Sequence, residues 1–342
     1  MIVRSIKAAV IGAGAMGSNH ARIYAEMDDV ELAGVADPDA LVAQKIARRY
    51  GATYYDDYRA LLAMESPDVV SVAVPTRLHP EISVDAMSRG SHVLVEKPLA
   101  LSIEEGQRII DAADRYGVKL AVGHIERFNP AVVEIKRRLD DQQLGRLFQM
   151  HARRLSPFPG RVQDVGVILD LATHDIDVMR HLVGCDVERA FAETDQKAHF
   201  SCEDLVSALL RFSNGVIGVL DVNWLTPTKV RQLVVLGEQG MYIADYLTQD
   251  VYWYKNHPAH AAWDTLSGFR GAWEGEMVKL HFDKKEPLCA ELESFVAAVR
   301  ADVDPEVSGD DGLAAIALSM TLIDSGRKGV PLAPDDLRQR SC

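Results

Sequence analysis

Cysteine is scarce: four in 342 residues, Cys185, Cys202, Cys289 and Cys342, with no Cys-x-x-Cys pair and no His/Cys cluster at metal-ligand spacing. That excludes a disulfide-stapled miniature fold and gives no reason to expect a metal. The expectation is four buried or free thiols in a reducing compartment, not a disulfide framework. Long apolar runs are missing as well. No stretch is long enough to span a bilayer, and the N-terminal MIVRSIKAAVIGAG passes straight into a strand and a glycine turn without the layout of a signal peptide. The expected location is the cytoplasm. Positive charge is in deficit, 37 Lys and Arg against 50 Asp and Glu, for a net charge of −13. Such a chain has no general affinity for nucleic acid or for a membrane surface. Neither an internal repeat nor a low-complexity tract is present, and the length exceeds one ordinary core, so two domains are expected.

The first third of the chain alternates short apolar strands with helical patterns. Ile6 to Ile11 is a strand that runs into Gly12-Ala13-Gly14-Ala15-Met16-Gly17, with a helix expected from Ser18 to Met27. Between a strand and a helix, G-x-G-x-x-G binds a dinucleotide. Gly12 permits the tight turn, Gly14 lets the backbone approach a pyrophosphate, Gly17 allows close helix–strand packing, and the helix N-terminus supplies N–H donors. Ala15 and Met16 lie in the same loop. A second strand, Val30 to Ala36, ends in Asp37, about 20 residues beyond the last glycine, where an acid hydrogen-bonds ribose hydroxyls. Its charge repels a 2′-phosphate, which selects NAD over NADP.

Later strands end in polar residues at the side where parallel sheets bind ligands. Asp68 to Val74 is followed by Pro75, Thr76 and His79, of which Val74, Pro75 and Thr76 are expected against the cofactor. His79 either caps the following helix or approaches the cofactor. Val93, Leu94 and Val95 form a buried strand that stops at Glu96-Lys97-Pro98, a turn in which the proline is suited to a cis bond. Val118 to Val122 ends in Gly123 and the polar segment His124-Ile125-Glu126-Arg127-Phe128-Asn129-Pro130. The first domain is therefore set at residues 1–123, and residues 124–342 form the second.

From Gly145 onward, period-2 alternation replaces the strand–helix rhythm in LFQMHARRL, DLVSALLRF, GVIGVLDVNW, VRQLVVLG and MYIADYL. This predicts a mostly antiparallel sheet with one face covered and the other free for subunit contact. Between its first two strands lies DVGVILDLATHDIDVMRHLVG. Asp170, His174 and Asp177 fall on one helical face, with Val167, Leu171 and Val178 as the packing stripe. A His with a carboxylate one turn away suits general acid–base work, although a satisfied polar face would look the same. Two helices, near Leu288 to Val299 and Asp310 to Gly326, close the chain.

GAGAMG, Asp37, Glu96-Lys97-Pro98, Asp170-x-x-x-His174 and the SGRKGVPL tail together resemble the Gfo/Idh/MocA family of NAD(P)-dependent oxidoreductases, over nearly the whole chain. The resemblance implies an α/β fold: an N-terminal Rossmann doubly wound parallel sheet, then a C-terminal α/β domain built on a mostly antiparallel open sheet that serves homodimer or homotetramer contacts. It implies Lys97 and His174 as the catalytic pair, with Asp170 beside them and the proton-accepting role open between the two. Glu96, Lys97 and His124 join the residues expected at the NAD site. HIERFNP looks like the segment of members that oxidise the 3-hydroxyl of UDP-N-acetylhexosamines such as UDP-N-acetylglucosamine, ahead of a transaminase in lipid A or surface polysaccharide formation. On that reading Glu126, Arg127 and Asn129 bind the sugar nucleotide, and Arg153, Arg154 and Arg161 face the diphosphate or are ordinary solvated charges. The alternatives are another sugar, an inositol or a UDP-aminouronate as substrate, or a non-catalytic NAD-binding regulator on the same fold.

Overall fold

A computed structural model describes residues 4–159, 165–198, 201–256 and 275–334. Six strands, β1 (Ile6–Ile11), β2 (Val30–Ala36), β3 (Thr53–Tyr55), β4 (Val69–Val72), β5 (His92–Glu96) and β6 (Leu120–Gly123), form one sheet in the order β3-β2-β1-β4-β5-β6. Every pairing in it is parallel. Its central strands are mostly apolar because both faces are covered: Ala8, Val10, Val70, Val93 and Val95 are fully buried. Helices α1 (Ala15–Glu26), α2 (Ala40–Tyr50), α3 (Tyr58–Glu65), α4 (His79–Ser88) and α5 (Ile103–Tyr116) make the crossovers. The strand order reverses between β1 and β4, which opens a crevice at the carboxyl ends of the strands.

Two of the boundaries that differ from expectation bear on the site. Helix α1 begins at Ala15, not Ser18, so Gly17 sits inside its first turn. Strand β4 stops at Val72, which leaves Ala73 and Val74 beyond the sheet.

The second sheet has eight strands: β7 (Leu147–Leu155), β8 (Val187–Asp195), β9 (Leu205–Phe212), β10 (Ile217–Asn223), β11 (Val230–Gly237), β12 (Gly240–Asp245), β13 (Asp250–Lys255) and β14 (Met277–Lys279). Their order is β14-β13-β12-β11-β7-β10-β9-β8. Only β7 and β10 pair in parallel; the other neighbours are antiparallel. Residues alternate buried and accessible along β9 and β10, the pattern of a sheet with one covered face. Helices α6 (Pro130–Asp140) and α7 (Thr173–Val183) belong to this unit.

The chain does not divide with a single cut after residue 123. The first compact unit runs to Phe128 and takes up Lys285–Ala317 again, while the second holds Asn129–Lys284 and the chain from Leu318 on. The reason lies in helix α8 (Pro287–Ala301). Its stripe of Leu288, Leu292, Phe295 and Val296 shares one core cluster with Ile6, Val10, Ile23 and Val35. Helix α9 (Gly309–Lys328) opens in the first unit and ends in the second. The four expected thiols also need correction: Cys202 and Cys289 are thiols, but Cys185 is disulfide-bonded. Spacing along a chain cannot reveal which cysteines meet.

Candidate active site

The glycine loop after β1 divides its labour among three positions. Gly12 has φ +95°, and a Cβ there would lie 2.4 Å from the Ala73 carbonyl oxygen. At Gly17 a Cβ would lie 1.7 Å from the Gly12 oxygen and 3.3 Å from Val10, so the close helix–strand approach demands glycine. Gly14 is different. A Cβ there meets nothing within 4 Å, and Gly14, Ala15 and Met16 are exposed. Gly14 is also the N-cap of α1 and offers no side-chain cap, so the first N–H groups of the helix point out free of one. An anion fits there, as the pyrophosphate of NAD requires.

Asp37 stands at the end of β2 beside this loop. Its Oδ2 accepts from Ala13 N at 2.7 Å and its Oδ1 from Asp39 N at 2.9 Å, which leaves each oxygen a second lone pair for ribose hydroxyls. Past β4, Val74 comes within 3.0 Å of a Cβ built on Gly12, and the half-exposed Thr76 and exposed Pro75 follow. The residues chosen for the cofactor thus gather along one edge of the sheet, as the strand topology dictates.

His79 is not among them. It is buried, its Nε2 lies 2.9 Å from the Val74 oxygen, and its Nδ1 lies 3.0 Å and 3.3 Å from the Pro98 and Leu99 oxygens. The ring ties the loop after β4 to the turn after Lys97, and burial holds its pKa below the ordinary value despite those carbonyls. Glu96 also faces inward. Its Oε1 lies 3.0 Å from Nε2 of His20, and its Oε2 accepts from Lys97 N at 3.2 Å. Lys97 itself is partly exposed just past the end of β5, and the Lys97–Pro98 bond is cis. His124 is buried just beyond β6.

Two substrate candidates in HIERFNP serve the fold instead. Arg127 is 3 % exposed, pairs with Asp311 at 3.1 Å and donates to the Glu306 carbonyl at 3.3 Å. Asn129 caps α6 by accepting from Ala131 N at 3.1 Å, and donates to the Tyr246 carbonyl at 3.2 Å. Glu126 alone of the three keeps partial exposure.

In the second unit a π-helical turn, Ile168–Ala172, leads into α7, where the sequence suggested a plain α-helix. It places Asp170 in the wide turn and His174 one turn later, both partly exposed. Asp177, expected on their face, is buried at 1 % exposure. Such turns are frequent at functional sites because they re-aim side chains without ending the helix. The two arginines of β7 part company, since neighbours on a strand point to opposite faces. Arg154 is buried, with Nε 2.7 Å and Nη2 3.2 Å from the carboxylate of Asp175, so it clamps α7 to the sheet rather than waiting for a phosphate. Arg153 is on the open face, 3.5 Å from Asp221. Arg161 lies outside the described residues.

Asp175 and His20 escaped the sequence reading. A His three residues after Gly17 on a buried helix face was the available signal for the second; nothing near Arg154 marked its partner. Among the described residues no group of three His, Cys, Asp or Glu could hold a metal ion, and no helix is long and apolar enough to cross a membrane.

Comparison with known proteins decides the family. Residues 6–124 match the model of an oxidoreductase family with an NAD-binding Rossmann fold, and residues 132–243 match the GFO/IDH/MocA C-terminal domain. The chain belongs to the Gfo/Idh/MocA oxidoreductases. Its first unit is that family's NAD-binding domain, and the dehydrogenase class follows. The UDP-N-acetylglucosamine 3-dehydrogenase of Acidithiobacillus ferrooxidans is 31 % identical over 300 residues, 86 % of this chain and 89 % of that protein. The scyllo-inositol 2-dehydrogenase (NAD(+)) of Bacillus subtilis is 25 % identical and covers 96 % of each chain. A solved structure of the Acidithiobacillus ferrooxidans enzyme superposes with a TM-score of 0.83 at 27 % identity, over 94 % of this chain and 98 % of that one.

Proposed function

We propose that this chain is an NAD-dependent dehydrogenase that oxidises the 3-hydroxyl of a UDP-N-acetylhexosamine, UDP-N-acetylglucosamine first, to the 3-oxo sugar for a following transaminase. The observation that carries the substrate is the 31 % identity to the enzyme of that name across 86 % of the chain. Bound NAD supplies the hydride acceptor. Lys97, at the end of β5, hydrogen-bonds the reacting oxygen and lowers the cost of alkoxide character. His174 takes the hydroxyl proton, and Asp170, one turn before it, orients the ring or holds a neighbouring hydroxyl. Asp37 prefers NAD to NADP by repelling a 2′-phosphate.

One observation favours a second reading, a neutral polyol such as an inositol or a glucoside. Arg127, expected to bind the sugar nucleotide, and Arg154, a candidate for its diphosphate, hold Asp311 and Asp175 instead. The test is absorbance of NADH after mixing protein, NAD and UDP-N-acetylglucosamine, with a glutamate-dependent aminotransferase to remove the 3-oxo product. Signal that vanishes in Lys97→Ala supports the first reading. Turnover only with myo-inositol or a glucoside moves the substrate to the second, and NADH binding without any turnover leaves a non-catalytic regulator.

We also propose that the enzyme is a homodimer or homotetramer joined through the open face of the second sheet. Its support is a row of paired residues running across the strands, Leu209, Val219, His151, Val234, Ile243 and Tyr252, all at least partly exposed and mostly apolar. Leu209→Lys together with Val234→Lys is expected to leave a monomer in light scattering; an unchanged mass removes this face from the assembly.

A further inference from the structure

We infer that His20 and Glu96 form a positioning pair that fixes Lys97 relative to the cofactor helix α1. The inference rests on Lys97 being catalytic, as proposed above. His20 is 0 % exposed and projects from α1 one turn after Gly17. Its Nε2 is 3.0 Å from Glu96 Oε1, and its Nδ1 is 2.9 Å from Ser71 Oγ, which is 2.9 Å from the Tyr24 hydroxyl. The second Glu96 oxygen accepts the backbone N–H of Lys97. Five groups from α1, β4, β5 and the turn that follows β5 thus make one connected network inside the first unit.

The directions of these bonds are mutually consistent. An ionised carboxylate only accepts, so His20 donates from Nε2, and in the neutral ring Nδ1 is the acceptor. Ser71 then donates to His20 and accepts from Tyr24, so every buried polar atom in the line is satisfied. Burial alone would push the Glu96 carboxyl up; the His20 hydrogen bond, the electrostatic attraction of the His20 ring and then the positive charge of Lys97 outweigh it and hold its pKa below the usual value. The neighbouring strand makes room for the charge. A Cβ on Gly123 would sit 3.2 Å from both Cδ and Oε2 of Glu96. A merely space-filling core would use apolar residues here, because a buried carboxylate carries a desolvation cost. What the carboxylate adds is a fixed, two-sided grip: one oxygen on the helix that receives the dinucleotide, the other on the residue that meets the substrate.

The consequence is a split between binding and turnover. Misplacing a reacting group by about 1 Å can cost on the order of 100-fold in rate. Loss of His20 leaves the glycine loop and Asp37 untouched. We would measure kcat, KM, the NADH dissociation constant by fluorescence, and hydrogen exchange at the Lys97 amide for Lys97→Ala, His20→Ala, His20→Gln and Glu96→Gln. The substrates are UDP-N-acetylglucosamine, myo-inositol and methyl glucoside. For His20→Ala and Glu96→Gln the expected result is a fall in kcat of roughly 10- to 100-fold, with KM and NADH affinity within about threefold and faster exchange at the Lys97 amide. His20→Gln, which keeps a side-chain donor, recovers part of the rate and guards against an unfolded alanine variant. Wild-type kcat in His20→Ala and Glu96→Gln overturns the pair, as does a proportional loss of kcat and NADH affinity without rescue by glutamine. A different pattern marks failure of the underlying reading: Lys97→Ala that turns over like wild type, or turnover with none of the three substrates, removes the catalytic lysine and the positioning pair with it.

Discussion

The two units of this chain deliver their candidate chemistry in opposite ways. In the first, six parallel strands end at the same side, so Gly12, Asp37, Val74, Lys97 and His124 gather there because of topology alone. In the second, the sheet is almost wholly antiparallel, its strand ends point both ways, and Asp170 and His174 come from a helix with a π-turn. The lesson concerns charge. A parallel sheet can display polar residues at its rim for nothing in burial, whereas the second unit must anchor its helix to the sheet face, and it does so with the buried Arg154–Asp175 pair.

The largest effect expected from that contrast lies in the glycine loop. Gly17→Ala drives a methyl into the Gly12 carbonyl, 1.7 Å away, and is expected to destabilise the first unit by roughly 4 kcal/mol or more in urea unfolding. Gly14→Ala has open space around it; it should keep stability within about 1 kcal/mol and weaken NADH binding instead. Equal behaviour of the two variants would break the division of roles among the glycines.

Next in size is the arginine contrast. Arg154→Ala removes the buried cation paired with Asp175 and should cost about 3–5 kcal/mol. Arg153→Ala, on the open face, should cost less than about 1 kcal/mol. If Arg153→Ala instead raised KM for UDP-N-acetylglucosamine with stability unchanged, the diphosphate reading would gain its cation. Asn129→Ala removes a helix cap and is expected to cost about 1 kcal/mol.

The smallest effect is one of pH. The buried His79 titrates below its ordinary value, so below about pH 6.5 the unfolded chain binds more protons than the native one. Its contribution is whole above that pH and is lost as pH falls toward the folded value. His79→Gln should flatten stability against pH between about pH 7 and pH 5.5, read as urea midpoints. The same slope in both proteins would show that another group governs this window.

Legibility followed the same divide. The glycine loop, Asp37 and the Lys97 turn could be read from the sequence because each is a local arrangement whose geometry is set by a few neighbouring residues. The end of β4 and the start of α1 were each misplaced by two or three residues, since the same residues suit a strand end and a loop. HIERFNP showed the limit of a motif. Its polar residues looked alike, yet Arg127 and Asn129 hold the fold and only Glu126 keeps partial exposure.

By itself, then, the sequence determined the parallel dinucleotide-binding sheet, the alternating sheet after it, and the residues at the strand ends. Those follow from periodicity and backbone sterics, which act over short stretches. Only the tertiary structure decided which charges are buried and with whom: Arg127 with Asp311, Arg154 with Asp175, and His20 with Glu96. A charge or polar group leaving water must find its partner in space, and the partner's distance along the chain has no bearing on that requirement.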